Sequence, residues 1–465
     1  MALGRRPEER QEEFWVLQGE LPKSAGHPFY AKLDELLRQA GFDEFVEELC
    51  EPYYAENGRP SIPPGRYYRM LFVGYFEGIA SQRGIAWRCS DSLSLREFLG
   101  LALSESSPDH SSMTRIRRRL PLEVDCEVFR FVLTLAAEHG LLRGRTVGVD
   151  ATTLEANAAM KAIVRKDTGE DWKAYLRRLA EAEGMDNPTD EELRRFDKKR
   201  KNKKVSNAEW MSSTDPDSRI TKMKDGRTHL AYKAENVVDL DTDLVLAAEI
   251  HPADQGDSRT LPESLDRAQA NVDLVDGETD IEEVVADKGY HKAETIAELS
   301  EDRGVRTYIP EREQKGDRRW TDRPASEQRA FYANRQRVRG KRSKRLQRRR
   351  SEVVERTFAH MCETGGARRS WLRGLEDVRK RWLIQAAARN LGLILRTLFG
   401  IGTARSLQGA AGLLHSLQIT VLKPWRAIQH ACNLRPAPQA LLRLRARQHY
   451  PQSSAVKRTA FSTGS

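Results

Sequence analysis

One stretch near the middle of the 465-residue chain constrains the fold most. Residues 229–252, HLAYKAENVVDLDTDLVLAAEIHP, read as two strands joined by the turn-prone Asp239 to Asp243. From about Arg145 to Phe399, strand patterns alternate with helix patterns, which predicts a mixed α/β unit over residues 145–400. RTVGVDATTLEA alternates as a strand ending at Asp150, and IEEVVADKGYHKAETIAEL gives a strand ending at Asp287 with a helix after it. RGVRTYIP is a further short strand. Helices are predicted around Arg259 to Asn271, from about Ser351, and along the run bearing Leu375, Val378, Trp382, Leu383, Leu391 and Leu395. A charged, helix-prone insertion fills about 160–212.

The segment ahead of this unit, 28–140, reads as all-α. PFYAKLDELLRQAGFDEFVEELC carries Leu33, Leu36, Leu37, Phe45, Val46 and Leu49 at helical spacing. Pro63 and Pro64 can open a helix from about Arg66. SQRGIAWRCSDSLSLREFLGL is a second helix pattern closed by Gly100. Asp109, Ser111 and Ser112 are caps for a short helix bearing Arg115, Arg117, Arg118 and Arg119. Short helices with a basic last member suit a helix-turn-helix-like DNA binder, and equally a plain bundle with a charged face. Residues 1–27 are expected to be loose, and the basic, Pro-punctuated segment 401–465 to be partly disordered.

Composition narrows the class. With 39% hydrophobic and 31% charged residues the chain is globular. It shows no apolar run long enough to span a bilayer and no signal peptide, so the bacterial cytoplasm, in association with the nucleoid, is the expected location. Cys50, Cys89, Cys126, Cys362 and Cys432 are scattered, without the pairing expected of a disulfide framework or a zinc site. The net charge of +10 matters less than its distribution. Basic residues gather in RRFDKKRKNKK (Arg194 to Lys204) and RQRVRGKRSKRLQRRR (Arg335 to Arg350). A solvated face explains most single clusters, but two of them flanking candidate catalytic segments point to a polyanion such as double-stranded DNA.

Asp150 and Asp287 each close an apolar strand. Two carboxylates at strand ends in one sheet can converge on a shared ion, and hard divalent cations take oxygen ligands while leaving positions for phosphate oxygens. Paired metals can clamp the attacking and leaving oxygens of an in-line displacement. A third acid is expected from an element beside the sheet. In SEVVERTFAHM, Val354, Phe358 and Met361 form a buried stripe, and Glu355 lies on its flank. Glu352 and Glu363 sit nearer helix ends, where an acid is usually solvated. Singly, an Asp at a strand end is more often a turn or cap residue; the order strand-Asp, strand-Asp, helix-Glu after a basic segment is far more specific.

In these motifs the chain resembles bacterial insertion-sequence transposases of the DDE class with an InsH-like N-terminal domain, from about Pro28 to Gly402. The resemblance rests on NGRPSIPPGRYYRMLFVGYFEGIASQRGIAWRCSDSLSLREFLGL, PDHSSMTRIRRRL, VGVDATTLEANA, DGRTHLAYKAENVVD, ADKGY, RSEVVERTF and the ARNLG helix, in that order. It implies a ribonuclease-H-like catalytic domain in which Asp150, Asp287 and Glu355 bind two Mg(II) ions, with Mn(II) as a substitute. It also implies cleavage at element ends and transfer of the freed 3′-hydroxyl strand to target DNA, by a homodimer that holds both ends. One position departs from the pattern. Related transposases often carry a basic residue seven positions after the Glu, where this chain has Cys362. Phosphate contact is therefore expected from Arg368 and Arg369, or from Arg348, Arg349 and Arg350.

Other readings are weaker. His251, Asp254 and Asp257 in HPADQGDS are expected to form a loop capping the next helix, with a lesser prospect that Asp254 or Asp257 touches the metal shell. Tyr290 lacks the Arg/His constellation of a tyrosine recombinase, and no GxSxG elbow is present. Trp320, Trp371 and Trp382 are expected to be core. Two rival functions remain at this point: a metal-dependent nuclease without strand transfer, and an inactive, transposase-derived DNA-binding protein.

Overall fold

The described chain opens with helices: α1 (Pro28–Gln39), α2 (Phe42–Cys50), α3 (Pro64–Glu77), α4 (Gln82–Asp91), α5 (Leu93–Phe98), α6 (His110–Arg119) and α7 (Leu122–Glu138). The computed structural model describes residues 27–404, apart from 56, 59–60, 103, 202–204, 224–225, 314–319 and 322. The expected loose N-terminus and disordered tail lie almost entirely outside the described residues. Pro64 starts α3, where a missing N–H costs nothing, and Gly78 ends it in the left-handed region at φ 70°. Asp109 caps α6, its Oδ1 accepting the Ser111 N–H at 2.8 Å. The single helix expected over 81–100 is two. Ser92 takes extended dihedrals, ends α4, and accepts the Leu95 N–H to cap α5.

These helices share one core with the rest of the described chain, and α7 carries a buried acid into it. Asp125 receives the Tyr68 hydroxyl at 3.2 Å. Burial pushes its carboxyl up to about 7, against the pull of Lys380. A carboxyl raised in the folded state binds its proton more tightly there than in the unfolded chain. Stability from this group is therefore full at acid pH and lost as pH rises from the ordinary Asp range to about 7. Asp125→Asn should flatten that part of the pH–stability curve in denaturant titrations.

The sheet follows. Its strands are β1 (Thr146–Glu155), β4 (Arg219–Lys222), β5 (Thr228–Asp239), β6 (Val245–Pro252), β7 (Glu283–Val285) and β8 (Arg306–Tyr308), while β2 (Ile163–Arg165) and β3 (Trp210–Ser212) form a separate hairpin in the insertion. β1 pairs antiparallel with β5, Val147↔Asp239 through Glu155↔Ala231, and parallel with β7, Gly148↔Val285. β7 pairs parallel with β8, and β6 and β4 lie antiparallel along the far side of β5. The expected strand–turn–strand at 229–252 is thus β5 and β6. β1, however, does not end at Asp150. It runs on to Glu155, because β5 supplies backbone partners as far as Ala231.

The remaining helices are α8 (Trp172–Ala182), α9 (Asp190–Lys199), α10 (Asp257–Val275), α11 (Ala293–Ala297), α12 (Ala325–Arg339), α13 (Lys341–Ala359) and α14 (Leu375–Phe399). In the insertion, Thr189 makes a capping box with Glu192 at the start of α9. Arg165 and Arg200 lie against the rings of Trp172, Tyr175 and Trp210, tying α8 to the hairpin. Neighbouring residues of β5 assign the two faces of the sheet. Glu235 meets Thr260 and Ser264 of α10, whereas Asn236 meets Met361 and Trp382. So α10 covers one face, and α13 and α14 cover the other.

Two expectations are corrected here. The segment Arg335 to Arg350 is not a basic linker before a helix at Ser351. It belongs to α12 and α13, which break only at the extended Gly340. Leu346, Arg350, Val353, Val354 and Thr357 bury one face of α13 at helical spacing, and that face extends the helix back through the basic run. Trp382 is core as expected, but Trp371 is 51% exposed, with the Arg369 guanidinium over its ring. Among the described residues no helix is long and apolar enough to cross a membrane.

α14 is buried almost continuously from Val378 to Leu395, as befits a helix enclosed by other elements. Its Asn390 is wholly buried and faces the start of β6. The side-chain oxygen accepts the Val245 N–H at 3.0 Å, and the side-chain nitrogen donates to the Val245 carbonyl at 2.9 Å. The amide thereby stands in for a neighbouring strand at Val245, next to the register shift in β5.

Candidate active site

Asp150 and Asp287 are brought together. The parallel pairing of Gly148 with Val285 sets the two acids at the same level on adjacent chains, each two residues past that pair. Asp287 follows β7 and caps a short 3-10 turn, its Oδ1 accepting the Gly289 N–H at 2.7 Å. Asp150 accepts the Ala151 N–H through Oδ1 and is 24% exposed. Burial raises its carboxyl above the ordinary range, the nearby Asp287 charge pushes the same way, and Arg350 opposes both. Arg350 Nη1 lies 2.8 Å from Asp150 Oδ2, on a side chain that is itself buried. A glycine at 148 lets α13 approach: a Cβ there would stand 3.0 Å from Val354 and 3.1 Å from the Arg350 stem.

Glu355 is on the exposed side of α13. It shares a flank with Gln347 and Ser351. Gln347 donates to the carbonyls of Ala286 and Tyr308, so this flank faces the strand that leads to Asp287. Eight residues separate Gln347 from Glu355, roughly 12 Å along the axis. Among the described residues no three His, Cys, Asp or Glu side chains lie close enough to hold a metal ion. Asp150 and Asp287 are paired; Glu355 is not drawn in to join them. Glu352 is exposed beside Arg349 and Arg356, and Glu363 beside Arg368.

The arginines singled out in sequence divide by environment. Arg115 and Arg118 are exposed on α6. Arg117 turns inward, 3.3 Å from Asp377, and Arg119 covers the Tyr54 ring. Of the Arg348–Arg350 run, Arg348 is exposed, Arg349 binds the Leu240 carbonyl and Asp243, and only Arg350 reaches the aspartates. Arg368 and Arg369 lie on the surface after α13. Cys362 is buried in the π-helical turn His360–Thr364 that extends α13.

Behind the aspartates lies a cluster that sequence reasoning missed. Glu235 is fully buried on β5 and accepts from Tyr290, Thr260 and Ser264, with Lys233 at 3.4 Å. Tyr290 is thereby a buried donor, fixed beneath the Asp287 turn. Its nearest signal in sequence is an acid and a lysine alternating in a strand otherwise apolar, AYKAENVV. Asp254 faces Arg219 at 3.7 Å, whereas Asp257 pairs with Lys233 at 2.7 Å.

The layout is a helical unit followed by a mixed sheet with paired acids. Residues 17–119 match the family described as Transposase domain (DUF772), and residues 198–391 match Transposase DDE domain. Both halves thus define a transposase. The chain belongs to the DDE transposases of insertion sequences. Asp287 and Glu355 fall within the second match, while Asp150 lies between the two. No curated protein and no solved structure matches the chain.

Proposed function

We propose that this chain cleaves DNA at the ends of an insertion sequence and transfers the freed 3′-hydroxyl strand into target DNA, using Asp150, Asp287 and Glu355 as carboxylates for two Mg(II) ions, which Mn(II) can replace. The observation that carries this reading is the pairing of Asp150 with Asp287 on adjacent parallel chains within a transposase of the DDE family. The sheet supports a ribonuclease-H-like scaffold: three antiparallel strands, β6, β5 and β1, continue into two parallel ones, β7 and β8.

The donor set suits a hard divalent cation, being all oxygen, and the mutual repulsion of the two aspartates is what such an ion relieves. When bound, it would supply Lewis-acid stabilisation to the attacking and leaving oxygens of the phosphodiester. The chain's own groups do the rest. The Gly289 amide fixes one oxygen of Asp287, and the Ala151 amide fixes one of Asp150. Arg350, rigid and permanently charged, is placed to receive a phosphate oxygen beside Asp150. Arg115, Arg118, Arg348, Arg368 and Arg369 present exposed charge to the DNA backbone, which gives affinity without base readout. Two ends must be held at once, so a homodimer is the expected working form.

The test uses DNA carrying the repeats that flank this gene. Mg(II)-dependent nicking at the repeat boundary, with strand-transfer product, is expected of the wild type and not of Glu355→Gln. Nicking that survives in the variant would remove Glu355 from the site. Nicking without any joined product would favour a nuclease.

A further inference from the structure

We propose that Asp257 is a further carboxylate of the divalent-cation site, an inference that rests on the metal-dependent reading above. Asp257 is the first residue of α10 and 37% exposed. An acid there ordinarily serves its own helix terminus. This side chain turns elsewhere. Its Oδ1 is 2.7 Å from Lys233 Nζ, and Lys233 is fixed by Thr260 at 2.8 Å and Glu235 at 3.4 Å. The lysine therefore orients the carboxylate and leaves Oδ2 pointing away, toward Asp287.

Gly289 shows how near the two acids come. A Cβ at that residue would stand 2.6 Å from Asp257 Oδ2 and 2.8 Å from Asp287 Oδ1. The two carboxylates thus face each other across a residue that has no side chain. Asp287 has the Gly289 amide as donor. Tyr290, the next hydroxyl, is taken by Glu235. The charges of both Asp257 and Asp150 reach the Tyr290 ring, which places all three aspartates around it. Carboxylates held this close repel unless a cation neutralises them, and oxygen donors of this kind select a hard divalent ion. Unlike Glu355, Asp257 reaches Asp287 with no movement of a helix.

Mn(II) binding to the purified full chain, without DNA, tests the assignment by calorimetric titration or loss of the free-ion electron-spin signal. Asp257→Asn is expected to weaken Mn(II) binding by at least about tenfold, because affinity follows the number of charged ligands. Gly289→Ala is the second variant. Gly289 does not have a positive φ, so alanine fits the backbone, but its methyl would push both carboxylates aside without removing a charge. It should weaken binding comparably, with an unchanged melting curve. Both variants should bind element-end DNA like wild type in the absence of metal. Wild-type Mn(II) affinity in Asp257→Asn and in Gly289→Ala, alongside lost affinity in Asp287→Asn, would overturn the proposal and leave the metal-dependent reading standing. Unchanged affinity in Asp287→Asn would overturn both. Should Asp257→Asn unfold, Gly289→Ala decides by itself: wild-type Mn(II) affinity there overturns the proposal, and weakened affinity upholds it.

Discussion

Asp287→Ala lowers strand cleavage by more than about a thousandfold, the several kcal/mol that metal-centred charge stabilisation contributes, while affinity for element ends stays near wild type at matched salt. Asp287 sits after β7 with one oxygen on the Gly289 amide, so alanine also frees that turn. Asp287→Asn separates the two effects: its amide oxygen still accepts from Gly289, and only the negative charge is lost. Both variants should fail equally in a nicking assay. Alanine alone failing would mean that the turn, and not the charge, is what the reaction needs. Continued nicking at element ends by Asp287→Ala would sink the assignment of this residue altogether.

The largest effect on stability is expected at Asn390→Ala. The amide satisfies both the N–H and the carbonyl of Val245, and the site is closed to water. Alanine would orphan two buried backbone groups and leave a small void between α14 and β6. Each unsatisfied group costs about 1–3 kcal/mol, so a loss of roughly 3 kcal/mol is expected in denaturant titration, with the slope of the transition unchanged. A loss under about 1 kcal/mol would mean that water or a shift of β6 re-pairs Val245.

Much of the sheet was legible because strand signals are local. The alternation in HLAYKAENVVDLDTDLVLAAEIHP marks β5 and β6, and the apolar runs before Asp150 and Asp287 mark β1 and β7. The continuation of β1 to Glu155 was not legible, since it depends on how far a partner strand extends. Nor was the helical state of Arg335 to Arg350. Its charge suggests an extended linker, and only packing of Leu346 and Arg350 against the sheet makes it helix. At the site, the two aspartates could be read from their settings. The contacts of Arg350 with Asp150 and of Lys233 with Asp257 span about two hundred and two dozen residues respectively, and no spacing rule reaches that far. Trp371 went astray for a related reason: an aromatic among apolar neighbours looks like core until the fold leaves it at a surface.

The hairpin turn at Asp243, where φ is 68°, holds α13 from the side opposite Glu355. Its carboxylate takes Arg349 at 3.0 Å and Arg356 at 2.8 Å, about two turns of helix apart, and its carbonyl takes Arg389 of α14. A rod gripped at two points along its length cannot spin about its axis. Glu355 therefore cannot swing toward the aspartates by rotation of α13 alone. Whatever closes that gap must carry the helix, the β5–β6 turn and α14 together as one block, or act through the Glu355 side chain itself.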